Sequence, residues 1–168
     1  MRSRPRAMSS RTVVSDVTVR GARSGEADTL TALCVRSKAH WGYDAAFMRQ
    51  CQESLAVSDA DIASGRVLVA ERAGLPFGVA RVEADGELGL MFVDPRAMNR
   101  GVGRALFQSA AALARRLGAR HMEILADPNA APFYARMGAR FVGDAPSDAI
   151  PGRTLPLYEY DLAQAETP

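Results

Sequence analysis

Residues 93–106, VDPRAMNRGVGRAL, gather the groups in this chain most able to hold a ligand: Gly101 and Gly103 separated by one valine, with Arg96, Arg100 and Arg104 around the same turn. Apolar residues at Val102, Leu106, Ala110, Leu113 and Leu117 then recur at helical spacing, which puts the glycines in the first turn of a helix. The leading amides of a helix have no intrahelical acceptor, and the helix dipole adds about half a positive charge at that end. With no Cβ in the way, an anion can come down onto those amides. Absences narrow the choice of anion. No Lys-Ser/Thr pair follows the glycines, as a nucleotide P-loop requires. Position 106 is leucine instead of a third glycine, and the preceding strand follows antiparallel strands, which argues against a dinucleotide fold. A diphosphate held mainly by main-chain nitrogen remains.

The elements that position this turn follow from periodicity and turn chemistry. Alternation marks a strand over 16–23, and Ser24 is read as the cap of a helix whose face carries Ala27, Leu30, Cys34 and the stem of Lys38. Asp44 caps a second helix with Phe47, Met48, Cys51 and Leu55 on one face, followed by a short turn, DADIAS. Residues 66–72 and 76–83 read as a hairpin, and Asp85-Gly86 turns the chain into a third antiparallel strand ending at Pro95. The glycine-led helix ends at Gly118 and a strand over 119–126 follows, parallel to the strand at 88–93. Asn129 caps a short helix through Phe133, Tyr134 and Met137, closed by Gly138, and ARFVGD and TLPLYEYDL form two final strands. The expected class is α/β with a mixed sheet flanked by helices.

Size and composition bound the functions open to it. At 168 residues with 48% hydrophobic content, one domain is expected, over residues 16–163. Residues 1–15, with four arginines among the first eleven, read as a disordered N-terminal extension. The net charge of +2 gives no basic face for nucleic acid, and no apolar run reaches membrane-spanning length. Cys34 and Cys51 read as reduced, partly buried thiols, and no metal site is expected. A cytoplasmic location is expected, and a homodimer is compatible with the sequence.

VDPRAMNRGVGRALFQSAAALARRLGA resembles motif A of the GNAT superfamily of N-acetyltransferases, and DPNAAPFYARMGARFVG resembles its motif B at the spacing the superfamily shows. The likeness in element order covers residues 17–162. The resemblance implies a mostly antiparallel seven-stranded sheet, splayed between two parallel central strands and flanked by four helices. It also implies acetyl-CoA as cosubstrate, lying between the strands at 88–93 and 121–126. Met91, Phe92 and Val93 would pair with the pantetheine arm, and the amides of Asn99, Arg100, Gly101, Val102, Gly103 and Arg104 with the pyrophosphate. Met98 stands where the family signature carries Gln or Arg, and so offers only its amide. Asn129 and Phe133 join the cofactor-binding set by position.

Direct acetyl transfer in a ternary complex needs a neutral amine, a polarised carbonyl and a proton for the departing thiolate. Tyr134 matches the position of the family's general acid. No base is assigned: Glu83, Glu87, His121 and Glu123 are the polar residues near the strand before motif A. Gly89, in that strand, leaves room for the thioester or a substrate to approach. Trp41 and Tyr43, in the segment where the family's substrate loop lies, are placed to wall the acceptor site. Arg153 could meet a substrate carboxylate. The implied acceptor is a primary amine of a small molecule or an exposed amino group. A non-catalytic acyl-CoA sensor on the same fold is the alternative.

Overall fold

The computed structural model describes residues 16–164, so the extension expected over 1–15 lies outside the described residues. In chain order the elements are β1 (Val17–Gly21), α1 (Ala27–Ala39), α2 (Ala45–Gln50), α3 (Gln52–Leu55), α4 (Asp59–Ala63), β2 (Val67–Arg72), β3 (Leu75–Val82) and β4 (Leu88–Val93). A 3₁₀ turn at Pro95–Ala97 leads into α5 (Val102–Arg116), β5 (His121–Leu125), α6 (Ala131–Arg136), β6 (Arg140–Pro146) and β7 (Thr154–Asp161).

Hydrogen bonding divides the seven strands of the described residues into two antiparallel sheets. The first runs β1-β2-β3-β4, and the second β5-β7-β6. The division falls between β4 and β5, where the sheet was expected to splay. These two strands are neighbours without a shared ladder, joined in sequence by the α5 crossover.

Strand alternation feeds two cores. Val67, Val69 and Val79 pack with Leu30, Leu33 and Cys34 of α1, while Ala70, Ala80 and Val82 pack with Val102, Leu106, Phe107 and Ala110 of α5. Gly86 closes the turn before β4 with φ +94°, and a Cβ there would collide with Ala119. Glycine is therefore needed for its conformation and for its closeness to the start of β5.

Several local expectations are corrected. Ser24 does not cap α1; its N-cap is Glu26, whose carboxylate instead accepts from Arg20 (2.7 and 3.0 Å) and the Arg23 amide (2.7 Å). The helix begun by Asp44 breaks at Cys51, whose amide is shared between the carbonyls of Phe47 and Met48. DADIAS is helical: Ser58 and Asp61 form a capping box, each side chain accepting from the other's amide. With that extra turn, six α-helical segments stand among the described residues where four helices were expected. On α5 the buried face continues through Ala114, leaving Leu117 exposed, because a 3.6-residue repeat drifts off the assumed stripe. β4 begins at Leu88, two residues later than the turn signal suggested.

Candidate active site

The gap between β4 and β5 opens into a cleft of ≈ 680 Å³. β4 hydrogen-bonds only to β3 and β5 only to β7, so each presents an unpaired backbone edge towards the other. Met91, Phe92 and Val93 line the cleft from β4, and Ile124 and Leu125 line it from β5.

At one end of the cleft lies the turn that starts α5. Asn99 (φ 62°) and Gly101 (φ 83°) are both left-handed, and Gly101 is the N-cap, so no side chain caps the amides of Val102, Gly103 and Arg104. The two glycines serve different needs. Gly101 stands in open space and is required for its backbone conformation. Gly103 is helical, but a Cβ there would sit 3.1 Å from Phe133 Cε2, so its hydrogen preserves the close approach of α5 to α6. Met98, Asn99, Gly101, Gly103 and Arg104 line the cleft, whereas the Val102 side chain is buried in the core and Arg100 points to solvent beside it.

Of the three arginines around this turn, Arg96 is already occupied. Its Nε and Nη2 donate to Asp94 (both 3.1 Å), and its amide donates to the same carboxylate (3.0 Å). Arg36 of α1 completes the cluster at 3.0 Å. The hydrogen bond from Arg96 holds the Asp94 carboxyl far below the usual carboxylate range against the opposing effect of burial; the Arg96 amide and Arg36 reinforce it. No carboxylate among the described residues pairs with Arg100 or Arg104, which leaves those two charges for an external anion. Asp94 was not singled out in the sequence, although an Asp before Pro is a recognisable turn starter.

Across the cleft, Phe133 and Tyr134 descend from α6. Tyr134 is buried and bonds no described residue. No buried polar side-chain atom among the described residues lacks a partner, so its hydroxyl opens onto the cleft. Burial, aided by the negative charge of Asp127, raises its pKa well above that of a free phenol, which keeps the proton in place.

Asn129 does not cap α6 as expected. The N-cap is Ala130, and Asn129 itself is held by Asp127, whose Oδ1 accepts from its amide (2.8 Å) and its Nδ2 (3.0 Å). Asp127 is the centre of a network the sequence did not reveal. It accepts from Lys38 Nζ (2.6 Å) and the Tyr43 hydroxyl (2.8 Å). Burial pushes this carboxyl up, but the bonds from Lys38, the Asn129 amide and Tyr43 outweigh it and hold the pKa below the ordinary value. Tyr43 in turn accepts from Asn129 Nδ2 (3.2 Å) and Arg153 Nη2 (3.1 Å), and its ring stacks on Phe47 at 4.2 Å. Tyr43 therefore stands behind the cleft surface as a support, while Trp41 and Arg153 line it.

Among the four polar residues near β4, the structure separates Glu87 from the rest. Glu87 lines the cleft; burial raises its pKa, and Asp85, Asp148, Glu123 and Glu83 add to the shift. Glu83 is engaged by Arg81 (2.7 Å) and His121 lies beside Glu159 (3.5 Å). Gly89 falls at a bulge opposite Arg81 and Val82, and the space of its missing side chain is filled by Glu83. Packing thus accounts for this glycine. Cys34 and Cys51 are both free and buried, and burial pushes the Cys34 thiol up to about 12. Among the described residues no cluster of His, Cys, Asp or Glu is placed to hold a metal, and no helix is long and apolar enough to cross a membrane.

Comparison with known proteins agrees with this geometry. No curated protein matches the sequence. The fold is similar to that of a GCN5-related N-acetyltransferase from Rhodopseudomonas palustris (26% identity, TM-score 0.71, covering 88% of this chain and 95% of that one). It is also similar to yncA from Salmonella typhimurium, solved with its cofactor acetyl-CoA (22%, 0.63, 92% and 98%). The paia N-acetyltransferase from Thermoplasma acidophilum, in complex with coenzyme A, matches likewise (13%, 0.70, 86% and 98%). Residues 24–148 match the model of the acetyltransferase (GNAT) domain, and the chain belongs to the GNAT acetyltransferase family.

Proposed function

We propose that this protein is an N-acetyltransferase that moves the acetyl group of acetyl-CoA directly to an amine in a ternary complex. The observation that carries the reading is one cleft with an uncapped helix start at one end and a protonated, unbonded tyrosine hydroxyl opening into it. The site fits the donor on two counts. Gly101 stands in open space at the N-cap and leaves the amides of Val102, Gly103 and Arg104 without a side-chain cap, and the charges of Arg100 and Arg104 have no partner among the described residues.

In this reading the amides of Asn99 to Arg104 bind the pyrophosphate, with Met98 contributing its N–H alone. The open edge of β4 at Met91, Phe92 and Val93 accepts the pantetheine arm as an added strand, since that edge has no partner strand. Asn129, fixed by Asp127 and Tyr43, offers the arm a polar contact from the α6 side, and Phe133 packs against it. What acetyl-CoA supplies when bound is an acetyl thioester, whose C–S bond breaks as the amine nitrogen bonds the carbonyl carbon and whose sulfur then needs a proton. Tyr134 holds that proton at its hydroxyl, and burial prevents its early loss.

The test is release of free thiol from acetyl-CoA in the presence of a panel of primary amines and amino acids. Acceptor-dependent release supports transfer. Binding of CoA without release for any acceptor contradicts it and leaves a sensor.

A further inference from the structure

The cleft also carries charge away from the α5 turn, on Arg153, Glu87 and Asp148. Arg153 lies in the segment joining β6 to β7, and this segment is held in place. The amides of Ala149 and Ile150 donate to Ser147 Oγ (3.2 and 3.1 Å), the Ser147 amide donates to the Arg153 carbonyl (2.8 Å), and both Ala149 and Ile150 pack against the core on the α1 side. The guanidinium is positioned as firmly. It lies 4.9 Å from the Phe47 ring centre and 5.4 Å from that of Tyr43, with Nη2 on the Tyr43 hydroxyl.

That hydroxyl bond is the one side-chain hydrogen bond Arg153 makes among the described residues, and no carboxylate there pairs with it. A guanidinium has five N–H donors, so most of the capacity of this cleft-lining group is left unused by the Tyr43 bond. The only carboxylate in the supporting network, Asp127, is already taken by Lys38 at 2.6 Å. The same cleft is lined by Glu87 and Asp148, neither of which forms an ion pair among the described residues, and the two are close enough that Asp148 helps to raise the pKa of Glu87. Leu90, Leu155 and Trp41 supply apolar surface to the same cleft. The cleft thus offers a cation with free donors, two carboxylates outside any ion pair among the described residues, and apolar surface.

We propose that the acceptor is a small zwitterion, an α-amino acid with an apolar side chain, whose carboxylate is bound by Arg153 and whose amino group is directed to Glu87 and Asp148. The proposal rests on the acetyltransferase reading and adds the chemical class of the acceptor. An amine without a carboxylate would leave Arg153 desolvated and unpaired on binding, and a site built to bond a charged group rejects analogues that lack it by a large factor. Glu87 suits the amino end, because a carboxylate with a raised pKa can take the proton an ammonium must lose and pass it to water.

The experiment compares kcat/KM by thiol release for L-leucine and L-phenylalanine against 3-methylbutylamine and 2-phenylethylamine at saturating acetyl-CoA. The amino acids are expected to exceed their decarboxylated counterparts by about 100-fold or more. In Arg153→Gln that preference is expected to fall to about threefold or less, with Arg153→Lys in between; the differing basicity of the amines cancels in the comparison of variant with wild type. Amines used as well as amino acids by the wild type, or an unchanged preference in Arg153→Gln, would overturn the proposal and leave the acetyltransferase reading intact. Absence of thiol release with all four acceptors, with CoA still bound, would overturn the acceptor proposal, and the acetyltransferase reading would fall with it only if the whole amine panel were also inert.

Discussion

The ammonium of Lys38 lies 2.6 Å from the carboxylate of Asp127, with both side chains almost fully buried. This contact ties the end of α1 to the segment leaving β5, and so fixes the α1 side of the cleft relative to Asn129 and α6. Lys38→Met would leave Asp127 buried without its cation, at a cost of about 2–4 kcal/mol in urea unfolding at neutral pH. The sign of the pH effect follows from the lowered pKa of Asp127. Its contribution is complete above the unfolded value of about 3.9 and is lost as pH falls through the folded value. The variant is expected to lose less stability on acidification than the wild type.

Asp94 should behave in the same sense. Asp94→Asn weakens the bonds that Arg96 and Arg36 make at the turn leading into α5. A loss of about 1–3 kcal/mol is expected, discounted because both arginines are half exposed or more. The wild-type carboxyl's share of stability is complete above the unfolded value of about 3.9 and declines below it towards the far lower folded value, so the variant stays the less stable protein over that range and its acid unfolding should begin at higher pH.

The two glycines of the turn should separate in a melting and binding comparison. Gly101→Ala forces a left-handed alanine, which costs about 1 kcal/mol of stability. Gly103→Ala gains helix propensity of a similar size while pushing on Phe133, so its melting temperature should change little. Gly103→Asp adds bulk and negative charge at the phosphate turn, and calorimetry should show CoA affinity reduced by at least about 100-fold.

Tyr134→Phe removes a hydroxyl that bonds no described residue, so stability should be unchanged or slightly raised. Steady-state kinetics should show kcat lower by about 10²–10⁴-fold, with the dissociation constant for CoA within about twofold of wild type. Equal turnover in the two proteins would remove the acid role.

Glu87→Gln is read in the pH profile of kcat/KM. In the wild type the acid limb should rise with pH through a raised carboxylate value, because burial, Asp85, Asp148, Glu123 and Glu83 all disfavour the charged form. In the variant that limb should disappear and the plateau fall. The same shift makes ionised Glu87 a cost to the fold: its effect on stability is least unfavourable below the unfolded value and grows as pH rises through the folded one. The glutamine variant should therefore gain stability relative to wild type as pH rises from 4 to 7.

The fold was legible where periodicity and turn chemistry agree. The Val102–Leu106–Ala110 stripe with Gly118 after it gave α5, and alternation with Ala73-Gly74 and Asp85-Gly86 gave the hairpins. Legibility failed where a side chain had two possible employers. Ser24 and Asn129 are good caps by type, yet Glu26 is drawn to Arg20, and Asn129 is bound by Asp127. The glycine turn at the start of α5 was legible because its residues are contiguous. Tyr43 and Arg153 were picked out singly, but their meeting with Lys38 and Asp127 was not legible, because the four come from separated segments and meet only in the fold.

The central claim is that the main-chain nitrogens at the start of α5 hold the diphosphate of CoA, and amide chemical shifts report on those nitrogens directly. Titration of ¹⁵N-labelled protein with CoA should shift the amides of Gly101, Val102, Gly103 and Arg104 most strongly, together with those of Met91 to Val93 on the β4 edge. Saturation by CoA with these amides unmoved, and the large shifts elsewhere on the surface, would contradict it.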